Sequence, residues 1–147
     1  MSFPSSWTTP PRQPETRFFE QATQRQSVLT KPTGSLGKLE KVAIQLAGLQ
    51  GTDTPAIDRI QISVFVGDHG ICEEDISAYP QAVTAQMIAN FANGGAAISV
   101  LAKSLGAGLE VVNLGTVSDV APDLPGVIDA RIAPCTRNFV ATDAMTT

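Results

Sequence analysis

The feature that most constrains the fold is an apolar, β-branched run that leads directly into a glycine-flanked loop. Residues 60–66 read Ile-Gln-Ile-Ser-Val-Phe-Val, and Gly67-Asp-His-Gly70 follows them. Because β-branched residues favour strands and glycine and aspartate favour turns, the sequence predicts a strand that ends in a tight loop. We expect this strand to be a central one in its sheet.

The segments after this strand predict a parallel sheet. Helices are expected at 80–91 and 95–105, a second strand at 109–114, and a possible third strand at 127–132. Two strands joined by helices form a right-handed crossover unit, which sets the strands parallel. Only 5% of the residues are aromatic, so we expect a core of Ala, Val, Ile and Leu, as in α/β proteins.

The N-terminal third predicts an arm and then two helices. Residues 1–14 contain four prolines, which favour an extended or poorly ordered arm. Helices are expected at 15–29 and 36–49, the second with an apolar stripe that faces a core. We interpret the connection, 31–38, as a helix–helix turn in which Ser35 caps the second helix. The alternative is a phosphate site at the helix start.

Composition and charge argue against several classes of function. The formal net charge is -4 and the Lys and Arg residues are scattered, so no basic surface for nucleic acid is expected. No apolar run reaches the roughly 18 residues of a membrane span, and the first residues do not form a secretion signal. Cys72 and Cys135 are too sparse for a disulfide framework or a zinc site. We expect a cytoplasmic protein with neither a nucleic-acid nor a membrane partner.

One candidate site lies in the loop after the first strand. In open α/β sheets, ligands bind beyond the carboxyl ends of the strands, a rule that selects Asp68 and His69. The alternative is a tight turn in which Asp68 satisfies loop amides and His69, the only histidine, orients the loop. Glu73, Glu74 and Asp75 follow in a spacing that matches no metal motif, so we expect a solvated acidic turn and no metal.

The second candidate site is the helix expected to start near Pro80. A helical phase places five residues on one face: Tyr79, Val83, Gln86, Met87 and Asn90. Aromatic and apolar side chains combined with one or two amides suit a flat heteroaromatic ligand. The alternative is an ordinary core helix with amides at its edge.

Four fragments in a fixed order carry a resemblance to a known family. They are KPTGSLGKLE at 31–40, VGDHG at 66–70, SAYPQAVTAQM at 77–87 and NGGAAISVL at 93–101. Together they resemble the nicotinate-nucleotide:dimethylbenzimidazole phosphoribosyltransferase family of cobalamin lower-ligand synthesis. The resemblance implies transfer of phosphoribose from nicotinate mononucleotide to a benzimidazole nitrogen with inversion at the anomeric carbon. The products would be α-ribazole 5'-phosphate and nicotinate.

The resemblance also implies an architecture and a pocket. It implies a homodimer of chains with a Rossmann-like parallel sheet, in which residues 15–50 belong to a small helical domain and 56–147 to the α/β domain. The benzimidazole acceptor would lie against the loop and helix from Tyr79 to Met87, with Asp68 and His69 nearby. The matched positions are Tyr79, Pro80, Val83, Gln86 and Met87. Nothing in the sequence calls for a cofactor or a metal.

The family implied by this resemblance has a longer chain. Its members are more than twice the length of these 147 residues, and their general-base glutamate and glycine-rich phosphate loops lie in the part that would follow Thr147. Because a base must reach the proton that it removes, we expect this chain alone to turn over poorly or not at all. The alternative is a non-catalytic benzimidazole-binding or oligomerisation module.

Overall fold

The chain divides into two compact units on either side of the bond between Asp58 and Arg59. The computed structural model describes residues 8–146. Part of the arm predicted for residues 1–14, up to position 7, lies outside the described residues, and residues 9–15 form neither helix nor strand. No helix within residues 8–146 is long and apolar enough to cross a membrane.

Between residues 9 and 58, the N-terminal unit contains two packed helices, α1 (Thr16–Val28) and α2 (Lys38–Gln50). Gly48 lies where a Cβ atom would come within 2.2 Å of Cζ of Phe19, so the missing side chain lets the two helices approach closely. Leu39 and Val42 are exposed. The prediction that the whole apolar stripe of α2 faces a core is therefore wrong, because among the described residues of this unit α1 covers only one side of α2.

The connection between the two helices is a turn, as predicted, but Ser35 does not cap α2, which has no side-chain cap. Glu40, in the first turn of α2, instead accepts the backbone N–H of Leu36 at 3.1 Å and the ammonium of Lys31 at 2.7 Å. The hydrogen bond from Lys31, and to a smaller extent the one from Leu36, hold the pKa of the Glu40 carboxyl below its ordinary value. The turn is thus ordered by an acidic side chain that reaches back from the helix.

The second unit is built on a three-stranded parallel sheet. Its strands are β1 (Gln61–Gly67), β2 (Gly108–Gly115) and β3 (Val127–Asp129), in the spatial order β1-β2-β3. The helices α3 (Ala82–Ala92) and α4 (Ala97–Leu105) connect β1 to β2 and form the predicted crossover. The predicted α/β class with a parallel sheet is confirmed.

The central strand of this sheet is β2 rather than β1. Val111 and Val112 of β2 are buried, and α3 and α4 pack against this strand with the buried residues Ile88 and Ala102. Among the described residues, β1 pairs with β2 alone in the sheet, and Phe65 on β1 is 56% exposed. The prediction of a central β1 is wrong because a β-branched run indicates a strand with a buried face and does not indicate how many strands flank it.

The C-terminal tail returns to the carboxyl end of β1. Thr136 forms an isolated parallel bridge with His69. Its carbonyl oxygen accepts the N–H of Gly70 at 3.0 Å, and its own N–H donates to the carbonyl of Asp68 at 3.2 Å. The edge of the sheet where ligands are expected is therefore shaped by segments far apart in the sequence.

Candidate functional site

A cavity of about 300 Å³ opens at the carboxyl end of β1, beside the start of α3. Its walls come from the loop after β1, from the turn before α3 and from the first turns of that helix. Its lining includes residues that the sequence analysis had singled out: Asp68, His69, Tyr79, Pro80, Val83 and Met87. Gln86, which was singled out with them, is exposed and does not line this cavity.

Tyr79 and Pro80 reach the cavity from a turn rather than from a helix. α3 begins at Ala82, so the helical phase used in the sequence analysis does not extend back to Tyr79. The hydroxyl of Ser77 donates to the carbonyl of Tyr79 at 2.8 Å and accepts its N–H at 3.3 Å. Tyr79 is 71% exposed and Met87 is 37% exposed, so the cavity is open to solvent beside two large side chains.

Asp68 is buried, and the fold uses all of its hydrogen-bonding atoms. Its Oδ1 accepts the hydroxyl of Thr84 at 2.6 Å, and its Oδ2 accepts the backbone N–H of Val117 at 2.8 Å. Its own N–H donates to the carbonyl of Gly115 at 2.8 Å. This geometry supports the interpretation that Asp68 orders loops, because donors already engage both carboxylate oxygens.

His69 lies at the mouth of the cavity and is exposed. Its Nδ1 lies 3.3 Å from Oγ1 of Thr136, and its carbonyl oxygen accepts the side-chain amide of Gln81 at 3.1 Å. Within the described part of the chain, Nε2 of His69 makes no hydrogen bond. That ring nitrogen is therefore available to a hydrogen-bond partner from outside the described chain.

A second cavity, of about 290 Å³, shares the segment 66–69 with the first. Its apolar lining includes Phe65, Leu114, Ile132 and Met145. No pattern in the sequence predicts this cavity, because part of its wall is the C-terminal tail, whose residues show little periodicity.

The acidic residues after β1 do not assemble a metal site. Across residues 8–146, no three His, Cys, Asp or Glu side chains come close enough to hold a metal ion. Glu73 and Glu74 are exposed at the end of a short 3-10 helix, Gly70–Glu74, and the carboxylate of Glu74 accepts the side-chain amide of Asn138 at 2.6 Å. Both cysteines are free thiols.

Comparison with known proteins identifies the family of the chain. A family model described as "Phosphoribosyltransferase" matches residues 12–147. The chain belongs to this phosphoribosyltransferase family. The family membership expected from the four sequence fragments is thus confirmed.

Relatives of this phosphoribosyltransferase chain carry a more specific name. A Pseudomonas putida protein named nicotinate-nucleotide–dimethylbenzimidazole phosphoribosyltransferase is 59% identical over 127 residues, which are 86% of this chain and 36% of that protein. A Pseudomonas aeruginosa protein of the same name is 55% identical over 139 residues, which are 95% of this chain and 39% of the relative.

A solved structure gives the same relationship in three dimensions. The crystal structure of CobT from Thermus thermophilus matches with a TM-score of 0.81 and 43% identity over 88% of this chain and 39% of the CobT chain. This chain spans 36% to 40% of the length of the curated relatives that it matches.

Proposed function

We propose that this chain supplies the acceptor-binding part of an enzyme that transfers phosphoribose from nicotinate mononucleotide to 5,6-dimethylbenzimidazole. The products are α-ribazole 5'-phosphate and nicotinate. The names of the relatives support this choice of substrates. The single structural observation that carries the proposal is the open cavity between the β1 loop and α3, at the sheet edge where α/β proteins bind their ligands.

The proposed reaction defines what an acceptor site must do. A benzimidazole nitrogen forms a bond to the anomeric carbon of the ribose, while the bond from that carbon to the nicotinate nitrogen breaks. The electron pair of the broken bond leaves with nicotinate, and a base takes the N–H proton of the acceptor. Because attack comes from the side opposite the leaving group, the site must hold a flat ring with one nitrogen directed at the donor.

The cavity has the size and the walls that a small flat ring requires. Its volume of about 300 Å³ lies at the lower end of the range for small-molecule sites, roughly 300 to 1,000 Å³. Pro80, Val83 and Met87 offer apolar contacts for the faces of the ring, and Tyr79 offers an aromatic one. Nε2 of His69 offers a polar contact for a ring nitrogen.

Contact between Gln86 and the acceptor remains a prediction from the sequence, since this side chain is exposed and does not line the cavity. The small helical domain and the α/β domain expected for 15–50 and 56–147 are proposed to correspond to the two compact units. The homodimer and the cytoplasmic location also remain predictions.

The base that takes the acceptor proton is proposed to lie outside the described cavity lining. Within residues 8–146, Asp68 is the only carboxylate that lines this cavity, and its two oxygens already accept hydrogen bonds from Thr84 and Val117. We assign the imidazole of His69, which also lines the cavity, to contact with a ring nitrogen of the acceptor and not to removal of its proton. A base must come within hydrogen-bond reach of the proton that it takes. We therefore propose that this chain binds the acceptor and, by itself, releases nicotinate poorly or not at all.

The test is a calorimetric titration of the 147-residue chain with 5,6-dimethylbenzimidazole. We expect saturable binding, and we expect Met87→Arg to raise the Kd about tenfold or more, because a guanidinium would occupy the cavity and resist desolvation. Ala82→Arg is the matched control. It introduces the same side chain at an exposed position of α3 that does not line the cavity, so the Kd should stay unchanged.

Three results would contradict the proposal. The first is no saturable binding by wild-type protein that circular dichroism shows to be folded. The second is equal binding by Met87→Arg, which would remove the acceptor from this cavity. The third is nicotinate release at a normal enzyme rate when nicotinate mononucleotide is added with the acceptor, which would show that a base is present within the chain.

A further inference from the structure

We propose that Asp68 is a positioning residue for the acceptor. Through its hydrogen bond to Thr84, it fixes the rotation of α3 about its own axis and its position along that axis, and so places Val83 and Met87 at the cavity wall. This inference rests on the proposed function of the cavity, and it assigns to Asp68 a role in affinity that is separate from proton transfer.

The bond between Asp68 and Thr84 has the character of a strong, directional contact. The two oxygens lie 2.6 Å apart, within the range of about 2.5 to 2.7 Å typical of a hydroxyl that donates to a carboxylate. Asp68 is only 5% exposed, so water does not compete freely for its oxygens. Within the described residues, two hydrogen bonds join the start of α3 to the loop after β1: this one, made from within the helix, and the one from the side-chain amide of Gln81, just before the helix, to the carbonyl of His69.

The contacts of α3 with the sheet that the described residues show are apolar packing contacts of its buried face. The helix packs on β1 and β2, and Ala85 and Ile88 are its buried residues. Burial of apolar surface is non-directional, so it specifies the rotation and axial position of a helix less sharply than a short hydrogen bond does. Thr84 is adjacent to Val83 and three residues before Met87, so the Asp68 bond sets the orientation of the part of the helix that lines the cavity.

The second carboxylate oxygen of Asp68 is bonded to a different loop, and this bond holds the carboxylate in place. Oδ2 of Asp68 accepts the N–H of Val117, in the loop after β2, at 2.8 Å. Because the backbone of Asp68 is also bonded to Gly115, the carboxylate is held against the ends of two neighbouring strands. Asp68 therefore fixes the position of Thr84, and with it the first turn of α3, relative to the ends of these two strands.

Matched pairs of variants test whether affinity depends on the hydrogen bond between Asp68 and Thr84, on the size of these side chains or on the charge of Asp68. Thr84→Val keeps the shape of the side chain and removes the hydroxyl, so the Kd for 5,6-dimethylbenzimidazole should rise about tenfold. Because Thr84 also lines the cavity, this rise supports positioning only when the backbone amides of α3 lose protection in the same variant. Thr84→Ser keeps the hydroxyl and should bind within about twofold of wild type. Asp68→Asn can still accept from Val117 and can donate to the Thr84 oxygen, because a hydroxyl also accepts, so it should largely retain binding where Asp68→Ala does not.

Hydrogen exchange of the backbone amides from Val83 to Met87 provides a readout that needs no ligand. We expect these amides to lose protection in Thr84→Val and Asp68→Ala and to keep it in Thr84→Ser. Every titration is made under conditions where circular dichroism shows each variant to be folded. A purely structural role would lower the melting temperature without changing the affinity of the folded protein.

The outcomes distinguish a failure of this inference from a failure of the proposed function. If wild-type protein binds and Thr84→Val binds equally well, the positioning role of Asp68 is overturned. If Asp68→Asn loses as much affinity as Asp68→Ala, the charge matters rather than the position, and the inference is again overturned. If wild-type protein does not bind at all, the proposed function fails, and unchanged amide protection in Thr84→Val would then overturn the positioning role as well.

Discussion

Replacement of Gly70 by alanine should detach the C-terminal tail from the edge of the sheet. A Cβ atom at this position would lie 2.6 Å from the backbone nitrogen of Asn138 and 2.7 Å from both the carbonyl carbon of Arg137 and the carbonyl oxygen of Thr136. These three contacts are with backbone atoms, so no rotation of a side chain relieves the overlap. The tail must move away.

The cost follows from the bonds that the movement breaks. Two backbone hydrogen bonds hold the tail here, from Gly70 to Thr136 at 3.0 Å and from Thr136 to Asp68 at 3.2 Å. Each is worth about 1 kcal/mol net, so Gly70→Ala should lower the free energy of unfolding by about 2 kcal/mol. At about 4 °C per kcal/mol for a chain of this size, the melting temperature should fall by about 8 °C.

Calorimetry and limited trypsin digestion measure the two consequences, lower stability and faster cleavage after Arg137. Gly67→Ala is the matched control, at the end of β1 and three residues before Gly70. A Cβ atom at that position would meet only the Gly115 oxygen at 3.7 Å and the Leu114 Cβ atom at 4.0 Å, which are ordinary contacts. Equal melting temperatures for Gly70→Ala and Gly67→Ala would refute the steric argument.

Two further predictions concern the N-terminal helices. Gly48→Ala would place a Cβ atom 2.2 Å from Cζ of Phe19. Overpacking of this kind should lower the free energy of unfolding, measured in urea, by about 1 to 3 kcal/mol, and Phe19→Leu in the same background should recover part of the loss. An unchanged urea midpoint for Gly48→Ala would contradict the prediction. The pKa of Glu40 is depressed by Lys31 and by the Leu36 N–H, so its contribution to stability should be complete above its ordinary value of 4.5 and be lost as the pH falls through the lower pKa of the folded state. A carboxyl-carbon NMR titration checks this: Lys31→Met should shift the pKa of Glu40 upward, and a wild-type pKa at or above 4.5 would show that the sign is wrong.

Local patterns in the sequence were sufficient for the elements that lie around the site. The strand expected at 60–66 forms at Gln61–Gly67, and the helix expected at 95–105 forms at Ala97–Leu105. Side-chain periodicity and turn residues are properties of neighbouring positions, so a sequence carries them directly. The cap assigned to Ser35 failed because Glu40, a residue of the next turn, supplies the acceptor for a backbone N–H instead.

Residue types also identified much of the candidate site without any coordinates. The glycines around Asp68 and His69 indicated a loop at the end of a strand, and the loop lies there beside a cavity. A helical phase selected Val83 and Met87 correctly as cavity neighbours, but it placed exposed Gln86 with them. One face of a helix includes side chains over a wide arc, and the sequence does not show which of these side chains another segment covers.

Local patterns and motifs were enough to predict the α/β class, the parallel crossover from β1 to β2 and the family of the chain. Three features were visible only after folding: β1 lies at the edge of the described sheet, the tail returns to Gly70, and Asp68 links α3 to the loop after β2. These features depend on contacts between residues far apart in the chain. Apolar periodicity records that a face is buried but not which segment buries it, so the partner of each surface is decided only when the whole chain packs.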